Sequence, residues 1–187
     1  MPLRDIPPPP ELLSIYQQSL SDYFGPSWSK VELFHLPVGT LGLEQLAKGA
    51  TLADVTSKGC RFFAIGPDGT EISCEMTDAQ LYGQPRFRNV VRGDLVRTAF
   101  QRIRESHGLP EVQKDEFELR LLNIPGLYFE GLHLATEAPG GDLVLPVFCV
   151  DPSLEKSGVL TAEAFLKKAR RVAAARLKIA SSDPLSS

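Results

Sequence analysis

The sequence predicts an α+β fold: a mostly antiparallel sheet of about five strands packed against two or three helices. Three observations carry that prediction. Residues 117–150 hold two apolar runs parted by the breaker cluster Glu137-Ala138-Pro139-Gly140-Gly141-Asp142, the pattern of paired core strands. Residues 60–77 alternate on either side of Gly66-Pro67-Asp68-Gly69-Thr70, which places proline and glycine where a tight turn uses them. Residues 94–107 and 161–180 carry apolar residues at helical spacing.

The chain begins with a proline-rich lead, residues 1–10, in which Pro7 to Pro10 favour an extended entry into a helix. Leu12, Leu13, Tyr16, Leu20, Tyr23 and Phe24 then recur at helical spacing until Gly25-Pro26 stops them. Residues 30–36 read as a strand, and residues 43–54 as one short helix in a mixed segment. In the 60–77 hairpin, Gly66 opposite Thr70 sets Phe62 against Cys74 and Ala64 against Ile72. One face is then wholly apolar, and Arg61 and Glu75 become cross-strand neighbours on the other.

Thr77-Asp78-Ala79-Gln80 has capping-box spacing and predicts a helical turn. Asp94 is the expected N-cap of the next helix, and Gly108-Leu109-Pro110 its end. Residues 117–136 are too long for one straight strand, at about 3.3 Å per residue, so a bend is expected at Pro125-Gly126. Residues 143–150 are apolar enough to be buried on both faces, with Pro146 asking for an edge or a bulge. A single domain over residues 11–180 and a loose tail over 181–187 complete the organisation.

Composition bounds the function. With 187 residues, 43% of them hydrophobic, the chain can bury a core without metal or disulfides. A net charge of −3 gives no general argument for nucleic acid or membranes. No apolar run reaches the roughly 20 residues of a membrane span, and no secretory leader opens the chain. Three scattered cysteines fit free thiols and a cytoplasmic address of bacterial type. Gly-x-Ser-x-Gly and phosphate-loop motifs do not occur. His35, His107 and His133 lack metal-ligand spacing, so neither metal nor cofactor is expected.

Four groups of residues remain as candidates. Glu130 and His133 follow the bend, beside Tyr128. Strict alternation puts them on opposite faces, and only a bulge at Gly131 would join them in a cleft. The plainer expectation is an edge strand with both turned to water. A cysteine nucleophile is weighed against buried, inert thiols. Arg86, Arg88, Arg92, Arg97, Arg102 and Arg104 could neutralise phosphates, against the commoner meaning of a solvated face. Arg176 alone among Lys167, Arg171, Arg176 and Lys178 falls inside the apolar arc of the last helix. It must snorkel or meet a carboxylate, with Glu118, Glu130 and Asp142 as candidates.

The reading that follows is a non-catalytic binding or accessory protein acting through protein contacts, with Arg176 and Tyr128 as its first binding candidates. The alternatives are a hydrolase using Glu130, His133 or a cysteine, and a nucleic-acid binder using the 86–104 region through Arg86, Arg88 and Arg92.

Overall fold

The computed structural model describes residues 3–4, 7–8, 10–31, 33–77, 86–155 and 158–182. It is α+β, but the sheet is larger than expected. Eight strands lie in the order β4-β3-β2-β1-β5-β6-β7-β8. They are β1 (Leu33–Thr40), β2 (Thr56–Ile65), β3 (Glu71–Thr77), β4 (Arg86–Arg92), β5 (Glu118–Ile124), β6 (Phe129–Ala135), β7 (Leu143–Cys149) and β8 (Leu160–Thr161). The sheet is also mixed, because β1 and β5 run parallel at its centre while all other pairs are antiparallel. Among the described residues five α-helices accompany it: α1 (Pro10–Phe24), α2 (Leu43–Ala47), α3 (Asp94–His107), α4 (Pro152–Glu155) and α5 (Ala162–Ser182).

The architecture is two helix-plus-meander halves, α1-β1-β2-β3-β4 and α3-β5-β6-β7-β8, joined at the β1–β5 pair. One face of the sheet lies under α3, where Val96, Ala99, Phe100 and Ile103 meet Leu36, Phe63, Leu121, Leu132 and Leu145. On the opposite face, α1 covers the first half through Leu12, Tyr16 and Leu20. The second half of that face is covered by α2 and α5, which bring Leu46, Phe165, Leu166, Ala169 and Ala173 onto Leu122, Phe129 and Val144.

The β2–β3 hairpin has the expected register, with Phe62 opposite Cys74, Ala64 opposite Ile72 and Arg61 opposite Glu75. Its turn closes through the Gly66 N–H to the Thr70 carbonyl at 2.8 Å. The face bearing Arg61 and Phe63 is buried as well, because α3 comes back over it. Pro125–Leu127 forms the expected bend as a 3-10 turn. Pro146 sits at a register shift, where Gly131 faces Pro146 and Glu130 faces Phe148, leaving Val147 as the extra residue. The bulge therefore lies on β7, not at Gly131.

Several expectations need correction. The expected strand at residues 30–36 is displaced to Leu33–Thr40 by a 3-10 turn over Pro26–Lys30. Gly93, not Asp94, caps α3, and Asp94 sits in its first turn, paired with Arg97. Arg86–Arg92, expected as a broken arginine run, is an edge strand. The helical turn expected after Thr77 falls on residues 78–85, outside the described residues.

Candidate functional site

β6 is not an edge strand. β5 and β7 flank it, and Glu130 and His133 are 7% and 4% exposed. The expectation that both turn to water fails because the strands that bury them come from 10 to 70 residues away. Alternation along β6 holds: Leu132 packs under α3, whereas Phe129 packs under α5. Glu130 and His133 accordingly lie on opposite faces of the sheet and share no cleft.

Each has its own partner. Glu130 Oε2 accepts a hydrogen bond from Arg61 Nη1 at 2.6 Å. Arg61 Nη2 lies 3.5 Å from Glu75 Oε2, and Glu75 Oε1 is 3.3 Å from Arg88 Nη1. The chain Glu130–Arg61–Glu75–Arg88 thus spans the sheet from β6 to β4. Glu130 and Arg61 stand three strand spacings apart, about 14 Å on a flat sheet. The long arginine and glutamate side chains close that span by reaching toward each other across β1 and β5. Arg61 Nε and Glu130 Oε1 are buried without a hydrogen-bond partner among the described residues. Sequence reasoning missed Arg61 as a site residue, because its nearest visible partner was Glu75 in the same hairpin.

His133 Nε2 lies 2.8 Å from Asp142 Oδ2, and Asp142 Oδ1 accepts the Thr136 N–H at 3.0 Å. Burial lowers the His133 pKa, and Asp142 opposes that shift without reversing it. A ring this buried ties the β6–β7 connection together. A cleft of about 420 Å³ opens nearby, lined by Arg4, Asp115, Glu116, Glu118, Arg120 and Glu137 among others, and neither Glu130 nor His133 lines it.

All three cysteines are free and buried. Burial pushes the Cys74 thiol up to about 12, away from nucleophilic thiolate. Cys149 Sγ accepts the Asp151 N–H at 3.3 Å. Among the described residues no group of three or more His, Cys, Asp or Glu could hold a metal ion. No helix among them is long and apolar enough to cross a membrane.

The arginine region is largely neutralised. Arg88 pairs with Glu75, Arg97 with Asp94, Arg102 with Glu105 and Arg104 with Glu71. Arg92 lies over the Phe24 ring at 4.6 Å. Arg86, Arg88 and Arg92 share the edge strand β4, whereas the other three project from α3. This is an ion-paired surface and not a continuous positive one.

Arg176 and Tyr128 are brought together. The Arg176 guanidinium sits 5.2 Å from the Tyr128 ring centroid, and its Nη1 donates to the Gly126 carbonyl at 2.9 Å. None of the three carboxylates expected as its partner serves. Glu118 pairs with Arg120, Glu130 with Arg61 and Asp142 with His133. Tyr128 is 63% exposed and adopts the left-handed conformation, φ 49° and ψ 46°, the one non-glycine residue with positive φ among those described. Its N–H donates to the Pro125 carbonyl at 2.9 Å, which closes the turn. Left-handed backbone is costly for a bulky side chain, and such strain gathers at functional sites. Other exposed apolar residues close in sequence to this region are Val150, 55% exposed, just past the end of β7, and Ile179, 70% exposed, one helical turn beyond Arg176.

Comparison of the chain with protein-family models, with curated proteins and with solved structures finds no match in any of the three.

Proposed function

We propose that this chain is a cytoplasmic, non-catalytic binding or accessory protein that engages a protein partner through the surface centred on Tyr128 and Arg176. One observation carries the reading: an exposed tyrosine, held in a strained left-handed turn, with a guanidinium stacked on its ring. Tyrosine and arginine are the side chains that most often anchor protein interfaces, because each offers a large contact area and directed polar groups. The exposed Val150 and Ile179, adjoining Asp151 and Arg176 in sequence, supply apolar surface for such an anchor, and Asp151 feels the charges of Arg176 and Arg171. The three buried free cysteines suit a reducing compartment.

The hydrolase reading loses its best pair, since Glu130 and His133 face opposite ways. Of the arginines that carry the nucleic-acid reading, Arg88 is ion-paired with Glu75 and Arg92 lies over the Phe24 ring, while Arg97, Arg102 and Arg104 further along the region are ion-paired as well.

Tyr128→Gly tests the proposal without disturbing the fold. Glycine releases about 1 kcal/mol of left-handed strain, and loss of the cation–π contact costs about 0.5–1 kcal/mol. The variant should melt within a few degrees of the parent. Affinity capture with parent and variant as paired baits, read by quantitative mass spectrometry, should show a partner retained by the parent and lost by the variant. An identical set of retained proteins would refute the reading.

A further inference from the structure

Helix α5 has the most one-sided charge of the described elements. It carries Lys167, Lys168, Arg170, Arg171, Arg176 and Lys178 against the single acid Glu163, in a chain whose net charge is −3. Arg170 is committed to the carbonyls of Gly49 and Ala50, at 3.0 Å each. Lys167, Arg171 and Lys178 are exposed at spacings of four and seven residues, which align them along one stripe of the helix. Lys167 and Arg171 have no ion pair within the described residues. The Asp151 carboxyl is held low first by hydrogen bonds from Ser153, then by the nearby charges of Arg176 and Arg171. Asp151 follows Val150 just past β7, whose last residue, Cys149, faces Phe129, the residue after Tyr128. Arg176 spends one N–H on Gly126 and keeps others for a ligand.

We infer that the Tyr128–Arg176 surface takes an acidic, partly apolar segment of a partner protein, whose carboxylates meet Arg171 and Arg176 while its apolar side chains cover Tyr128, Val150 and Ile179. This rests on the reading of that surface as a protein-binding site and names its ligand chemistry. A bidentate guanidinium–carboxylate contact is the pairing that Arg171 and Arg176 offer in common. A membrane surface fits less well. The apolar face of α5, Phe165, Leu166, Ala169 and Ala173, is already buried in the core and cannot enter lipid. A polyphosphate fits less well too. The exposed basic stripe from 167 to 178 is only about 16 Å long, and Val150 and Ile179 would gain nothing against a phosphate backbone.

The test places the photo-crosslinker p-benzoylphenylalanine at position 179, in full-length protein within the cells that make it, and maps the adduct by mass spectrometry. The expected result is one discrete protein adduct in a segment rich in Asp and Glu. Its yield should fall about tenfold, some 1.4 kcal/mol, in the Arg171→Glu/Arg176→Glu background. In lysate it should fall comparably when salt is raised to about 0.5 M, where exposed charges are screened. A discrete protein adduct in a neutral or basic segment, or one indifferent to the double reversal, overturns the acidic ligand and leaves the protein-binding reading standing. An adduct to a second copy of this chain replaces the partner and overturns the inference. An adduct to nucleic acid or lipid, or no discrete adduct, overturns both.

Discussion

Removing one member of the Arg61–Glu130 pair should be far more costly than removing both, and the two single changes should not be equal. Arg61 and Glu130 are each 7% exposed and meet at 2.6 Å. Arg61→Met leaves Glu130 without an ion-pair partner among the described residues, where Arg61 is the one cation paired with it. A stranded buried charge costs about 3–5 kcal/mol. Glu130→Gln leaves Arg61 still 3.5 Å from Glu75, so about half that loss is expected, ~2 kcal/mol. The double change Arg61→Met/Glu130→Leu removes both charges together with the unpartnered Nε and Oε1, and it should regain most of the loss. Urea unfolding of the parent, Arg61→Met, Glu130→Leu and the double closes the cycle, with an expected coupling of ~2 kcal/mol or more, and Glu130→Gln stands beside it as the near-isosteric single. At about 2–4 °C per kcal/mol for a chain of this size, Arg61→Met should lower the melting temperature by roughly 10 °C. Additive single effects, or singles below about 1 kcal/mol, would refute the idea that this contact is a desolvated pair reaching across the sheet.

Four further outcomes are expected. Because burial lowers the His133 pKa from 6.5, the folded state resists the proton that the unfolded chain accepts. Its contribution is present above pH 6.5 and drains as pH falls below that toward the lowered folded value, so urea midpoints should drop as the solution is acidified below pH 6.5, and less so in His133→Gln. Arg176→Ala should cost about 1–2 kcal/mol through the lost Gly126 hydrogen bond and ring contact, with Arg171→Ala near zero; equal melting curves would refute the packing of α5. Gly131→Ala should cost about 2 kcal/mol or more, since its Cβ would stand 2.9 Å from the Leu145 carbonyl oxygen and 2.7 Å from Phe129 Cζ, whereas Gly108→Ala, 3.5 Å from its nearest neighbour, serves as the control. Thiol titration should find the cysteines unreactive when native and three after unfolding, given their burial.

What could be read in the sequence was what lies close along the chain. The β2–β3 hairpin was legible to the residue, because turn chemistry and period-2 alternation specify a register without reference to anything distant. The bend at Pro125 and the bulge demanded by Pro146 were legible for the same reason. Strand β4 was not: its residues are exposed or half-buried with no strict alternation, and its arginines looked like a broken surface run. The parallel β1–β5 pair left no local trace, so the order of the strands was not foreseen, and the undercount came from β4 and the two-residue β8. That gap caused the error at Glu130 and His133. Polar residues in a strand imitate an edge when their partners, Arg61 and Asp142, cannot be foreseen. Arg176 stood out in the sequence by its place in the apolar arc, and the carbonyl it meets belongs to the Pro125 turn, 50 residues away.

The parallel seam also bears on the order in which the molecule comes apart. Between β1 and β5 only three residue pairs are in register, against seven or more for β1–β2, β2–β3 and β5–β6. Each half is contiguous in sequence, and the α1 core draws on residues of the first half alone. Closure of the seam is then the step that needs distant parts of the chain to meet, and the Arg61–Glu130 contact forms only once it has closed. In native-state hydrogen exchange the amides pairing β1 with β5 should open at lower free energy than those inside the β2–β3 hairpin. A chain divided at Gly93, where the two meanders meet, should yield fragments that recognise each other along that line.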